Sequence, residues 1–130
     1  MLFVDTSAWF AYFLPTDPYH QSVRKCFLTG DGPLVTTDYC IDETLTLLIA
    51  RGELRRASEA GHALFEASIV QLYFVTPAQI GRAWIVFQQR AATGWSFTDC
   101  TSKVVTDELG VTMAVALDKH FQQFGISVVP

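Results

Sequence analysis

Charge is scarce in this chain, and positive charge is scarcer still. Asp, Glu, Lys and Arg make up only 17% of the 130 residues, and nine Lys and Arg stand against thirteen Asp and Glu. A net charge of -4 and a pI near 5.2 argue against a protein that holds nucleic acid by a broad basic face. They permit an acidic site whose sign is reversed by bound cations. Cysteine is equally sparse. Cys26, Cys40 and Cys100 are odd in number and lie in no CxxC or Cys/His zinc spacing, which argues against a disulfide framework or a zinc module. They read as small buried apolar residues in a reduced compartment. No run approaches the ~18 uninterrupted apolar residues of a membrane span. The apolar N-terminal stretch lacks a basic start, contains Asp5 and reaches no small-residue cleavage site before Pro15, so it does not read as a signal peptide. The expectation is a soluble, cytoplasmic protein with no membrane partner. The sequence also shows no internal repeat, low-complexity tract or linker.

What is present is apolar content, at 50%. A chain of this length fits one domain, 1–130, and buries roughly two thirds of the surface its unfolded form exposes. So little charge implies that a partner covers some apolar surface. Leu2 to Asp5 reads as a buried strand, and a helix capped at Thr6 or Ser7 runs on until Pro15. A second helix follows Pro18 and stops at Gly30. Leu34 to Thr37 is a second strand, leading into a third helix from Thr37 or Asp38 to Gly52 and a fourth from Glu53 to about Ser68. Leu72 to Val75 is the third strand, and Thr76-Pro77 opens a fifth helix that ends at Gly94. Ser96-Phe97-Thr98 leads into a sixth helix, terminated by Gly110. Val111 to Leu117 is the clearest strand, followed by a helical turn from Lys119 to Phe124 and a last strand from Ile126 to Val129. Strands joined through helices predict an α/β fold, with right-handed crossovers and a mostly parallel five-stranded sheet flanked by helices.

Ligands of such sheets collect at the carboxyl ends of the strands, and acids recur there. Asp5 and Asp118 each follow a strand directly, Asp99 lies in the first turn of the sixth helix, and Glu43 lies in the second turn of the third. Two carboxylates ~4 Å apart repel by about 4 kcal/mol at an effective dielectric of 20, so four gathered together call for cations. Carboxylate oxygens suit Mg²⁺ or Mn²⁺. Ions of that kind activate water and stabilise the leaving oxygen of a phosphodiester, with no nucleophilic side chain needed. Thr6, Ser7, Ser96 and Thr98 sit beside the acids and are placed to orient them. Asp42 adjoins Glu43, but helix neighbours point about 100° apart, and Glu43 is the one assigned to the pocket.

Any one of Asp5, Asp38, Asp99 or Asp118 taken alone reads first as a helix N-cap. Four at one edge make capping the weaker account, and Glu43 lies past the turn where a cap explanation applies. Asp107-Glu108 reads as a solvated helix end. His20, His62 and His120 share no ligand spacing and read as surface or packing residues. Trp9, Trp84 and Trp95 read as core or interface, with Trp95 near enough to the acids to touch a substrate. Arg51, Arg55 and Arg56 cluster between the third and fourth helices. Together with Arg90, Lys103 and Lys119 they are candidate phosphate contacts, weighed against a plain solvated role. The aromatic run Trp9-Phe10-Ala11-Tyr12-Phe13 exceeds what one helix face buries, and helices three and four offer an apolar groove.

Val-Asp-Thr-Ser at positions 4–7, Thr-Thr-Asp-Tyr-Cys-Ile-Asp-Glu at 36–43, Ser-Phe-Thr-Asp at 96–99 and Ala-Leu-Asp-Lys-His-Phe at 116–121 together resemble a PIN domain. The size is similar to that of a stand-alone VapC-type toxin of a toxin–antitoxin pair. The resemblance implies a metal-dependent endoribonuclease, usually a homodimer, held inactive by a cognate antitoxin. It implies Asp5, Glu43, Asp99 and Asp118 as metal-site acids using Mg²⁺ or Mn²⁺, with Thr6 and Thr98 as supporting polar residues and RNA as substrate. One departure is the Leu-Asp of the last motif, where the family commonly has a threonine before or near the acid. It bears on whether Asp118 ligates directly. A haloacid-dehalogenase-type phosphatase would want an acid two residues after Asp5, where this chain has Ser7. A receiver-like phosphoacceptor would want an acid after the third strand, where this chain has Thr76-Pro77. The alternative from another class is a PIN-like module that binds RNA or a protein without cutting it.

Overall fold

A computed structural model describes residues 1–66 and 69–130 of the chain. Five strands, β1 (Leu2–Val4), β2 (Leu34–Thr37), β3 (Gln71–Tyr73), β4 (Met113–Val115) and β5 (Ser127–Val129), form one sheet in the order β3-β2-β1-β4-β5. All four pairings are parallel, where the sequence predicts a mostly parallel sheet. Six α-helices connect and cover them: α1 (Thr6–Phe13), α2 (His20–Thr29), α3 (Asp38–Ala50), α4 (Leu54–Phe65), α5 (Pro77–Arg90) and α6 (Phe97–Leu109). Short 3-10 turns span Ala91–Thr93 and Lys119–Phe124. The expected extension of α4 to Ser68 lies outside the described residues.

β1 is buried on both faces, which is why it is an unbroken apolar run. Its residues alternate. Leu2 and Val4 join one core with Trp9, Ile41, Leu48 and Leu64 from α1, α3 and α4, while Phe3 joins another with Val104, Val105 and Phe121. α1 is wedged among α2, α3 and α4. Its aromatic run is therefore largely buried within this chain, not held out for a partner. Trp9 and Phe13 are buried and stacked at 5.9 Å, and the Trp9 Nε1–H donates to Thr36 Oγ1 at 3.1 Å.

Two strands are shorter than their apolar runs, for a reason that concerns the site. The run Val111–Leu117 is strand only over Met113–Val115, because the amides of Leu117 and Asp118 donate to Ser7 Oγ at 2.9 and 3.3 Å and leave the ladder. β3 stops at Tyr73, ahead of the expected Val75, whose amide donates to Asp38 Oδ1 at 2.9 Å. Chain direction across the sheet reverses at β1. β2 and β3 lie on one side of it, and β4 and β5 on the other. The crevice at such a switch point is where open parallel sheets bind ligands.

Candidate metal centre

Asp5 leaves the carboxyl end of β1 and caps α1, Asp118 follows β4 across the switch point, and α3 and α6 bring Glu43 and Asp99 from the chain before and after β3. Asp5 is buried at 3% exposure with its Oδ2 accepting from Ser7 Oγ at 2.6 Å and from the Ser7 amide at 3.2 Å. Burial drives its carboxyl up from the usual range to about 7, and the charge of Asp99 adds to that. Asp99, 5% exposed, forms a capping box with Ser96. Ser96 Oγ accepts from the Asp99 amide at 3.0 Å, and Asp99 Oδ2 accepts from the Ser96 amide at 2.9 Å. Burial raises the Asp99 carboxyl, as does Asp118, while the Ser96 amide and the charge of His120 oppose the rise. Glu43 is half-buried. Burial raises its carboxyl first, the Thr98 side chain opposes that, and Asp99 and Asp118 push it further up. These mutual influences make the four acids one electrostatic group. Asp42 is exposed on the adjacent helix face.

The two threonines differ. Thr98 acts on Glu43. The Thr6 hydroxyl instead donates to the Cys40 carbonyl at 3.4 Å, tying the start of α1 to α3. Ser7 does more than either, because one hydroxyl joins the carboxylate of Asp5 to the amides that precede and carry Asp118.

The residue that sequence reasoning missed is His120. Its Nδ1 lies 3.2 Å from Asp99 Oδ2 and 3.1 Å from Asp118 Oδ1, so a proton on Nδ1 faces both carboxylates. The ligand atoms of Asp99, Asp118 and His120 fall within 4.8 Å of one another. Its position two residues after Asp118 was the available signal. The other histidines lie elsewhere, His20 on the Ala11 carbonyl and His62 on Glu66. Trp95 is 3% exposed and bonded through Nε1 to Gln123, so it packs the wall behind His120 and offers no face to a substrate.

The donor set suits a hard divalent cation. Its atoms are carboxylate oxygens and one imidazole nitrogen. Cys40, buried against Ser102, and Cys100, next to Asp99, are both held up at about 11, chiefly by burial, far from a thiolate ligand. Burial first, and neighbouring acids after it, raise the carboxyls of Asp5, Glu43 and Asp99, a cost that a bound cation would relieve.

A five-stranded parallel sheet with acids drawn to its switch point defines the PIN-like class of nuclease folds. No family model matches the chain. It is 30% identical over 125 residues to the 23S rRNA-specific endonuclease VapC20 of Mycobacterium tuberculosis, covering 96% of this chain and 95% of that protein. It is 28% identical over 123 residues to a VapC ribonuclease of Archaeoglobus fulgidus, covering 91% and 77%. The crystal structure of M. tuberculosis VapC20, described as a sarcin-ricin loop cleaving toxin, superposes over the full length of both chains with a TM-score of 0.92 at 30% identity. The chain belongs to the VapC family of ribonucleases.

Proposed function

We propose that this chain is a metal-dependent endoribonuclease, the toxin of a type II toxin–antitoxin pair, in which Asp5, Glu43, Asp99 and Asp118 hold Mg²⁺ or Mn²⁺ at the switch point of the sheet. The observation that carries this reading is the electrostatic coupling of the four acids, three of them with carboxyls raised by burial and by one another. Cations bound there would supply an activated water and neutralise charge on a phosphodiester. The chain's own residues hold the donors still. Ser7 fixes Asp5, Ser96 fixes Asp99, Thr98 bears on Glu43, and the Asp118 carboxylate accepts from the His120 amide at 2.9 Å. Thr6 supports the centre indirectly, through the α1–α3 contact.

The substrate in this reading is RNA, and ribosomal RNA is the first to test, since the mycobacterial relative is specific for 23S rRNA. A cognate antitoxin, a homodimer and a cytoplasmic location complete the proposal. No helix among the described residues is long and apolar enough to cross a membrane. A non-cutting RNA or protein module would have no need of an acid cluster, which counts against that alternative.

The test is incubation of total RNA, ribosomal RNA included, with purified protein and Mn²⁺ or Mg²⁺, beside EDTA and Asp99→Asn controls. Discrete fragments that vanish in both controls are the expected result. Fragments that persist in EDTA and in the variant would remove the metal mechanism.

A further inference from the structure

We propose that the cavity beside Ser7 is a nucleobase pocket, which receives one unpaired base of the RNA next to the phosphate at the acids; this rests on the ribonuclease reading above. The cavity holds about 330 Å³ and is walled by Ser7 and Phe10 of α1, Asp17, Leu47 of α3, Arg51 at the C-cap of α3, and Leu117. Two of those residues tie it to the metal centre. Ser7 bonds Asp5 directly, and Leu117 precedes Asp118. The cavity is thus one residue removed from Asp5 and Asp118, neither of which lines it.

The chemistry of the walls selects a base. Phe10, Leu47 and Leu117 give an apolar floor, and the Arg51 guanidinium lies 5.6 Å from the centre of the Phe10 ring. An aromatic face and a guanidinium plane are the two surfaces on which unpaired bases stack. Asp17 supplies a carboxylate able to accept from an exocyclic amine. Arg51 also has charge to offer. Arg55 and Arg56 pair with Glu59, Arg82 with Glu108 and Lys103 with Asp107, whereas among the described residues no carboxylate pairs with Arg51. The basic cluster noted in the sequence therefore splits, and Arg51 is the member that faces the cavity. A second cavity, of about 270 Å³, has Asp118 in its lining and shares Leu117 with the first, but no Arg or Lys lines it.

The experiment is fluorescence anisotropy with short single-stranded RNAs, each lacking the base at one position, in Ca²⁺ in place of Mg²⁺. Circular dichroism serves as the control for folding. In the wild type, removing the base at one particular position should weaken binding about tenfold, the scale of a single base stack. Leu47→Trp fills the cavity from a side chain that is already 37% exposed. It should bind intact RNA about tenfold more weakly and lose its sensitivity to the missing base. Arg51→Gln, which leaves the floor intact, should lose part of the same discrimination. Tight binding that is indifferent to every missing base, or wild-type affinity in Leu47→Trp, would overturn the proposal and leave the cavity to a protein side chain. Failure of the wild type to bind any of these RNAs would overturn the ribonuclease reading and this pocket with it.

Discussion

Asp5 is the residue at which the needs of folding and of function conflict most. Its carboxyl is raised from 3.8 to about 7, so in the absence of metal the folded chain binds a proton that the unfolded chain has released. Stability without metal is therefore fully present below pH 4 as far as this group is concerned, and is lost as pH rises toward 7. A rise of that size is worth roughly 4 kcal/mol at most. Glu43 and Asp99, also raised, act in the same direction. Urea unfolding in EDTA should show falling stability from pH 5 to pH 8, with a visibly flatter profile in Asp5→Asn; equal slopes would mean that Asp5 is not held against its charge. His120 provides a second test. His120→Ala removes the nitrogen shared by Asp99 and Asp118, and titration calorimetry should find Mn²⁺ affinity reduced about tenfold, with partial recovery in His120→Asn. The proposed acids stand out in the sequence, Asp5, Asp99 and Asp118 because they sit at element boundaries and Glu43 because its neighbours within α3 are apolar. His120 was only half legible: its place two residues after Asp118 hints at that pair, but its ring also reaches Asp99 across 21 residues, and no local spacing encodes that approach.

At the scale of elements, capping and the proposed metal centre use the same atoms. Asp99 read alone is an N-terminal helix residue, and it is one, in a reciprocal box with Ser96. The two readings do not compete, because the box fixes the carboxylate that the proposed metal centre would use. Ser96→Ala should cost about 1 kcal/mol of stability and lower cleavage by more than that loss of folded protein explains. Comparing kcat with a denaturation midpoint would separate the two effects, and unchanged kcat would make Ser96 purely structural. The same sharing of atoms explains which boundaries the sequence obscured. The apolar run from Val111 predicts a strand to Leu117, yet the ladder ends with the Ala116 amide on Val129, because Ser7 and not a neighbouring strand takes the amides of Leu117 and Asp118. Apolar content marks where a strand lies, and the partner of each amide decides where it ends. Gly110 was legible for a local reason, a left-handed φ of 66° that closes α6.

For the whole molecule, the surplus of apolar residues is only partly resolved by the fold. The aromatics of α1 went inside, but Trp84 and Ile85 on α5 remain 53% and 54% exposed, on a face shared with Gly81. A homodimer buries such a face. Light scattering should find twice the 14.5 kDa of one chain, and Ile85→Arg should halve that mass without lowering the melting temperature, because an exposed position contributes little to the monomer. A wild-type mass of one chain would remove the dimer.

The central place of β1 also decides when each molecule becomes a nuclease. It is made first, yet it needs β2 on one side and β4 on the other, and Ser7 must wait 111 residues for Asp118. At ~5–20 residues per second of synthesis that interval is roughly 6 to 22 s. Through all of it the growing chain lacks Asp118, so under the proposed metal centre a product truncated before that residue should not cut RNA. An inhibitor that engages the nascent chain within that window meets it before it can cut.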